Sequence, residues 1–172
     1  DFGSQVTKLI ARRIRELGVY SEIITPKELI DIKNYKNIKG LILSGGPSTV
    51  TKKNFQGISK KIFDKNIPIL GICYGLQLIA KIFGGKIKPS KKKREFGRAY
   101  LLKKRSSSLI RKFIKSKTSV WMSHEDAVVK LPKNFKIIAS TKDSKLTIIE
   151  NSKRKIYGVQ FHPEVTHTDN GQ

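Results

Sequence analysis

Residues 67–83, IPILGICYGLQLIAKIF, constrain the fold more tightly than any other stretch of the chain. The first six are a continuous apolar run, the pattern of a strand covered on both faces, and such strands belong to parallel sheets flanked by helices. From Tyr74 onward the spacing is helical. At the joint, Gly71, Cys73 and Gly75 follow the pattern Gly-x-nucleophile-x-Gly, in which missing Cβ atoms permit a sharp strand-to-helix turn that lifts the middle side chain above the sheet. A helix starting directly behind Cys73 aims unpaired amides and the positive end of its dipole at the sulfur, which favours thiolate over thiol. Cys73 is the only cysteine, so an intramolecular disulfide is excluded. Buried thiols at strand ends are common, but a packed thiol needs neither the glycine pair nor the helix start.

The surrounding segments repeat the alternation. Val6, Leu9, Ile10, Ile14 and Leu17 recur at helical spacing, with Ser4 placed to cap the start and Gly18 the end. "VYSEII" (19–24) reads as a strand, "PKELIDI" as a short helix begun by Pro26, and "KGLILSGGPS" (39–48) as a strand entering a glycine turn. "FQGISKKIFDKN" (55–66) restores helical spacing through Ile58, Ile62 and Phe63. This β-α-β-α-β order predicts an α/β fold with a mostly parallel central sheet, helices on both faces, and a site beyond the carboxyl ends of the strands. After Gly85 the pattern changes to the strand "RAYLLKK", a helix candidate "SLIRKFIKS", "VWM", "KIIAST", and a hairpin of "KLTIIE" and "KIYGVQF" joined by "NSKR". That section is smaller and partly antiparallel. With neither an internal repeat nor a Pro/Gly/Ser-rich linker, residues 1–172 are expected to be one domain.

Charge narrows the function classes. Lys and Arg number 36 against 13 Asp and Glu, a formal net charge of +23, which raises the question of a nucleic-acid partner. The lysines are scattered through nearly every segment, and the one dense block, "KPSKKKREFGR" (Lys88–Arg98), lacks the interleaved aromatics of a base-stacking platform. A solvated loop fits it better than a nucleic-acid site. No apolar run approaches the roughly 20 residues of a membrane span, and no secretory leader opens the chain. A soluble protein of the reducing cytoplasm is the expectation.

A thiolate nucleophile requires a base, and the base an acid to orient it. His124 has Asp126, His162 has Glu164 and His167 has Asp169, each two residues on, so spacing alone does not choose. Rigidity does: Pro163 holds His162 extended, and "KIYGVQF" delivers it from the end of a strong strand. His162 is the favoured base and His124, after "VWM", the runner-up; His167 lies in a polar tail open to motion. The oxyanion left by attack on a carbonyl needs two donors, and the amides of Tyr74 at the helix start and Gly46 in "SGGPST" are placed to supply them, with Gly45 letting that turn bend. The same turn would also suit a phosphate, but it lacks the Gly-Lys-Ser/Thr of a P-loop.

Together "GICYGLQ", "LSGGPST" and "YGVQFHPEVTHT" resemble the triad-type (class I) glutamine amidotransferases, over essentially the whole chain. The resemblance implies a flavodoxin-like sheet, a catalytic triad of Cys73, His162 and Glu164, and substrate contacts at the Gly46 backbone, Gln77, Ser123 and His124. It implies hydrolysis of glutamine to glutamate and ammonia with no metal or cofactor. "DFGSQ", "ARRIRELGVYSEI", "WMSHEDAV" and "VTHT" are similar to the branch of the family that serves GMP synthesis. In that branch the partner is an ATP pyrophosphatase (synthetase) domain using ATP and Mg²⁺, whose Ser-Gly-Gly-x-Asp-Ser loop is not matched by "SGGPST". Branches serving CTP or anthranilate synthesis are the alternatives. Two departures carry expectations of their own. The family's apolar run before "DFGSQ" is not in this sequence, so its first strand is expected to be lacking, and Glu125 stands where related sequences often have glycine.

Overall fold

The computed structural model describes residues 1–32, 35–89, 95–107, 109–110, 113 and 117–172. In chain order the elements are helices α1 (Thr7–Glu16) and α2 (Pro26–Asp31), strands β1 (Leu41–Leu43) and β2 (Ile69–Ile72), helix α3 (Tyr74–Ile82), then strands β3 (Lys86–Pro89), β4 (Glu95–Tyr100), β5 (Leu102–Lys103), β6 (Ser119–His124), β7 (Asp126–Lys130), β8 (Lys136–Ser140), β9 (Ile148–Asn151) and β10 (Ile156–Val159). A six-stranded sheet runs in the order β1-β2-β10-β9-β8-β5, and two ribbons, β3-β7 and β4-β6, stand beside it.

Strand β10 organises this sheet. On one side it pairs parallel with β2, Val159 beside Ile72, and β2 pairs parallel with β1. On its other side it pairs antiparallel with β9, in the hairpin read from the sequence. Antiparallel pairing continues through β8 to β5. The carboxyl ends of β1, β2 and β10 therefore open onto one edge, as parallel pairing requires.

The two faces are covered separately. Ile69, Ile149 and Ile156 pack under Leu76 and Ile79 of α3, with Phe63 and Leu43. Ile72, Val159, Ile148 and Ile138 pack on the opposite face with Ile10 of α1, Met122 and Phe161. Alternate residues of the same strands serve different cores, the period-two rule for a doubly covered sheet. Among the described residues no helix is long and apolar enough to cross a membrane.

Local chemistry explains the helix ends. Gly18 N–H bonds to the Arg15 carbonyl at 2.9 Å and Val19 N–H to that of Ile14 at 3.3 Å, the paired bonds of a Schellman stop. Ser4 is not the cap expected of it: the helix starts two residues later, with Val6 at the N-cap and no side-chain cap bond, and the Ser4 hydroxyl accepts from Val6 N–H at 3.2 Å. Thr25 and Glu28 form a reciprocal capping box ahead of α2.

Several elements differ from the sequence expectation. "VYSEII" forms no strand: Tyr20 is 81% exposed, and among the described residues no strand pairs with that segment. "FQGISKKIFDKN" gives only a 3₁₀ turn, Lys60–Asp64, capped by Ser59 and stopped by the left-handed Asn66 ahead of Ile67-Pro68. It still buries Ile62 and Phe63. "RAYLLKK" breaks at the buried Leu101, so β4 pairs with β6 while β5 crosses to β8. Strands β3 and β7 were not read from the sequence. "SLIRKFIKS" and the centre of the basic block lie largely outside the described residues.

Candidate active site

The corner at Cys73 turns as its glycines allow, but the residue is buried among Ile72, Met122 and Phe161 rather than lifted into the open. Cys73 has φ +52° and ψ −102°, a conformation an L-residue holds at a cost of about 1–3 kcal/mol. A Cβ on Gly71 would lie 2.5 Å from the Gly75 carbonyl carbon, and one on Gly75 would lie 2.2 Å from the Leu43 oxygen. Neither position tolerates a side chain. The turn is bonded on both sides: Cys73 N–H donates to the Val159 carbonyl at 2.8 Å, and the Cys73 carbonyl accepts from Gln77 N–H at 3.2 Å. Tyr74, the first residue of α3, has an amide with no intrahelical partner.

Register then brings the base to the sulfur. Because Val159 stands beside Ile72, the residues following β10 run alongside Cys73. Gln160 is 1% exposed, and its Nε2 lies 3.7 Å from Cys73 Sγ. Two residues on, the His162 ring lies beside Cys73, close enough for the two side chains to interact, and bonds through Nδ1 to Glu164 Oε1 at 2.7 Å. Burial pulls this imidazole toward the neutral form. The hydrogen bonds and charges of Cys73 and Glu164 outweigh burial and push it up from 6.5 to about 10. Glu164 is 4% exposed, and its second oxygen is buried without a partner.

A third strand end closes the site. A Cβ on Gly45, just past β1, would sit 3.1 Å from His162 Cε1 and 3.9 Å from the Cys73 Cβ. Gly46 presses on Phe2, since a Cβ there would lie 2.6 Å from the Phe2 carbonyl oxygen. Both glycines thus sit where the backbone of the turn must approach its neighbours closely.

The other two histidines are placed differently. His124 is buried, with Nδ1 3.0 Å from the Asp126 carbonyl and Nε2 3.2 Å from Glu95 Oε2. Thr141 donates to the other Glu95 oxygen at 2.8 Å, while Gln77 spends its amide on the Asp126 carbonyl at 2.8 Å. The Asp126 carboxylate accepts from Thr49 rather than from His124. Ser123 is exposed, and its carbonyl lies 3.6 Å from Cys73 Sγ. His167 stacks on Trp121 with centroids 4.5 Å apart, and Asp169 accepts from the Ser119 amide at 3.0 Å. The tail is therefore docked on β6. Of the three His-x-acid pairs, only His162 and Glu164 join through their side chains.

Gln160, Glu95 and Thr168 were not singled out from the sequence. For Gln160 a signal existed, since strand alternation puts it on the face it shares with His162. Glu95 and Thr168 reach their partners across the fold.

The arrangement is that of a sulfur nucleophile, an imidazole able to carry a proton, and a buried carboxylate orienting the ring. The model of the family described as "Glutamine amidotransferase class-I" matches residues 1–172. The chain belongs to that family. Among relatives of this glutamine amidotransferase, a GMP synthase [glutamine-hydrolyzing] from Fusobacterium nucleatum is 48% identical over 99% of this chain and 33% of its own length. Another from Brachyspira hyodysenteriae is 49% identical with the same coverage. The chain thus spans about a third of the length of the curated relatives it matches. A solved structure from Thermoplasma acidophilum, described as a candidate subunit of GMP synthase, superposes with a TM-score of 0.87 at 36% identity, covering 99% of this chain and 85% of that one. A Thermotoga maritima glutamine amidotransferase, 24% identical, shares the fold with a TM-score of 0.71 over 96% of this chain and 71% of its own.

Proposed function

We propose that this amidotransferase hydrolyses glutamine to glutamate and ammonia with Cys73, His162 and Glu164 as its triad, and that the ammonia serves a GMP-forming synthetase. The observation that carries the reading is that the aligned ends of β1, β2 and β10 gather Cys73, the His162 ring and the buried Glu164, with Gly45 packed against both the ring and Cys73. The raised imidazole holds the proton that the departing nitrogen must receive.

The thiolate of Cys73 attacks the side-chain amide carbon of glutamine. A C–S bond forms, and the carbonyl electrons move to oxygen, where the amides of Tyr74 and Gly46 are the proposed donors. His162 passes its proton to the amide nitrogen, the C–N bond breaks, and ammonia leaves. The neutral imidazole then takes a proton from water, whose oxygen attacks the γ-glutamyl thioester. Glutamate departs as the C–S bond breaks, regenerating thiolate and imidazolium. Glu164 holds the ring in the tautomer that faces sulfur and stabilises its charge.

Substrate contacts are proposed at the Gly46 backbone and at Ser123, whose carbonyl lies against the sulfur. Gln77 and His124 both bond the Asp126 carbonyl, and the bonds they already make suit a role through position. The partner is a synthetase domain or subunit of ATP pyrophosphatase type, to which ATP and Mg²⁺ belong, and the location is cytoplasmic. The names of the relatives at 48–49% identity favour GMP formation over CTP or anthranilate synthesis.

The direct test is ammonia and glutamate release from glutamine by the purified protein, alone and with a GMP synthetase partner, XMP and ATP. Release that disappears in Cys73→Ala, with a glutamine-like diazo ketone labelling Cys73, is expected. Undiminished turnover in Cys73→Ala would sink the reading.

A further inference from the structure

We propose that Thr168 is a positioning residue for the imidazole, acting through one hydroxyl set between His162 and β6. The inference rests on His162 being the base. His162 N–H donates directly to the Trp121 carbonyl at 3.0 Å. In a regular antiparallel pair Trp121 N–H would return a bond to the His162 carbonyl. It does not. Trp121 N–H donates instead to Thr168 Oγ1 at 3.0 Å, and that hydroxyl donates onward to the His162 carbonyl at 2.7 Å. The inserted oxygen holds one side of the pair open while the other stays closed, so it sets the angle at which His162 leaves β10.

The relay is built and buried. Thr168 is 5% exposed. Its neighbours anchor it from both sides, because Asp169 N–H bonds to the Ser119 carbonyl at 2.9 Å and the His167 ring lies on Trp121. The tail closes over the base as well: a Cβ on Gly171 would lie 1.9 Å from the Pro163 oxygen. The same strand reaches the nucleophile, since the Ser123 carbonyl, two residues past Trp121, lies against Cys73 Sγ. One strand thus references both partners of the proton transfer, and Thr168 sets the gap on the histidine side.

Thr168→Val keeps the shape and removes both hydrogen bonds. Trp121 N–H and the His162 carbonyl must then pair directly, which rotates the histidine, or stay unpaired in a buried place. Displacements of about 1 Å cost as much as a hundredfold in rate. In folded Thr168→Val, kcat for glutamine hydrolysis is expected to fall about 10- to 100-fold with KM within about twofold, and Thr168→Ser to restore most of the loss. The ring resonances of His162 in a ¹⁵N NMR spectrum should shift in Thr168→Val and return in Thr168→Ser. If the valine variant does not fold, Thr168→Ala against Thr168→Ser isolates the hydroxyl at smaller volume. Wild-type kcat in the folded hydroxyl-free variant overturns the proposal. Should the unmodified protein show no glutaminase activity, the functional reading fails, and the positioning role stands or falls on the ring resonances alone: unchanged resonances reject it.

Discussion

Two histidine–carboxylate pairs sit in this molecule, and their surroundings differ. His162 meets Glu164 at 2.7 Å and His124 meets Glu95 at 3.2 Å, and all four side chains are largely buried. What separates them is the far side of each ring. Beyond His162 stands a sulfur; beyond His124 stands the Asp126 carbonyl, which cannot receive or release a proton. A histidine held on both nitrogens by oxygen atoms is placed as a brace, whereas one with a sulfur on its free side is placed to carry a proton, the role proposed for His162. Burial beside an acid therefore does not mark a base; the second neighbour does.

Exchanging one member at a time should break this comparison if it is wrong. The largest expected effect is in His162→Asn, where kcat falls at least about a thousandfold while the fold persists. His124→Asn should lower the melting temperature and reduce kcat by less than about tenfold. Equal kcat losses in the two variants would erase the distinction.

The carboxylates sharpen the contrast. Glu164→Gln is expected to reduce kcat about a hundredfold or more, because the amide misorients the ring and no longer stabilises its charge. Glu95→Ala should appear chiefly in denaturant unfolding, as a loss of about 1–3 kcal/mol from leaving His124 and Thr141 without their acceptor.

Proton linkage separates the pairs by pH. Folded His162 keeps its proton to about 10, while an unfolded one releases it near 6.5. Between those values the folded state binds more protons, so this contribution is fully present below 6.5 and is lost as pH rises toward 10. Urea unfolding at several pH values should show the wild-type advantage over His162→Asn shrinking across that window. An advantage that grew with pH would contradict the assignment.

The smallest effect concerns the sulfur's own surroundings. Gln160→Met removes the N–H facing Sγ while keeping similar bulk. Alkylation of Cys73 by iodoacetamide near neutral pH should slow by a few-fold, and an unchanged rate would confine Gln160 to packing.

Legibility from sequence followed the range of the forces. The corner around Cys73, helix α3, the β9–β10 hairpin and the preference for His162 over its rivals rest on glycines, alternation and a proline within a few residues of each feature. The strand expected at 19–24 did not form, because alternation makes a strand only where a partner offers a ladder, and among the described residues no strand pairs with it. The helix expected at 55–66 shrank to one turn because Gly57, Asn66 and Pro68 punctuate an apolar spacing that Ile62 and Phe63 satisfy in either form. The tail looked mobile because polar residues do not announce that Thr168 and Asp169 find backbone partners on β6.

Taken alone, the chain of amino acids determined that a cysteine would sit in a tight strand-to-helix turn and that a histidine with an acid two places on would end a nearby strand. Both are local steric consequences and survive any arrangement of the remainder. How near that histidine comes to the sulfur, and at what angle, was decided only by the tertiary structure. Parallel pairing of β2 with β10 sets Cys73 against residues more than eighty positions away, and a hydroxyl from the docked tail sets the tilt of the histidine. Contacts of that kind depend on chain register across the whole sheet, which no short window of residues encodes.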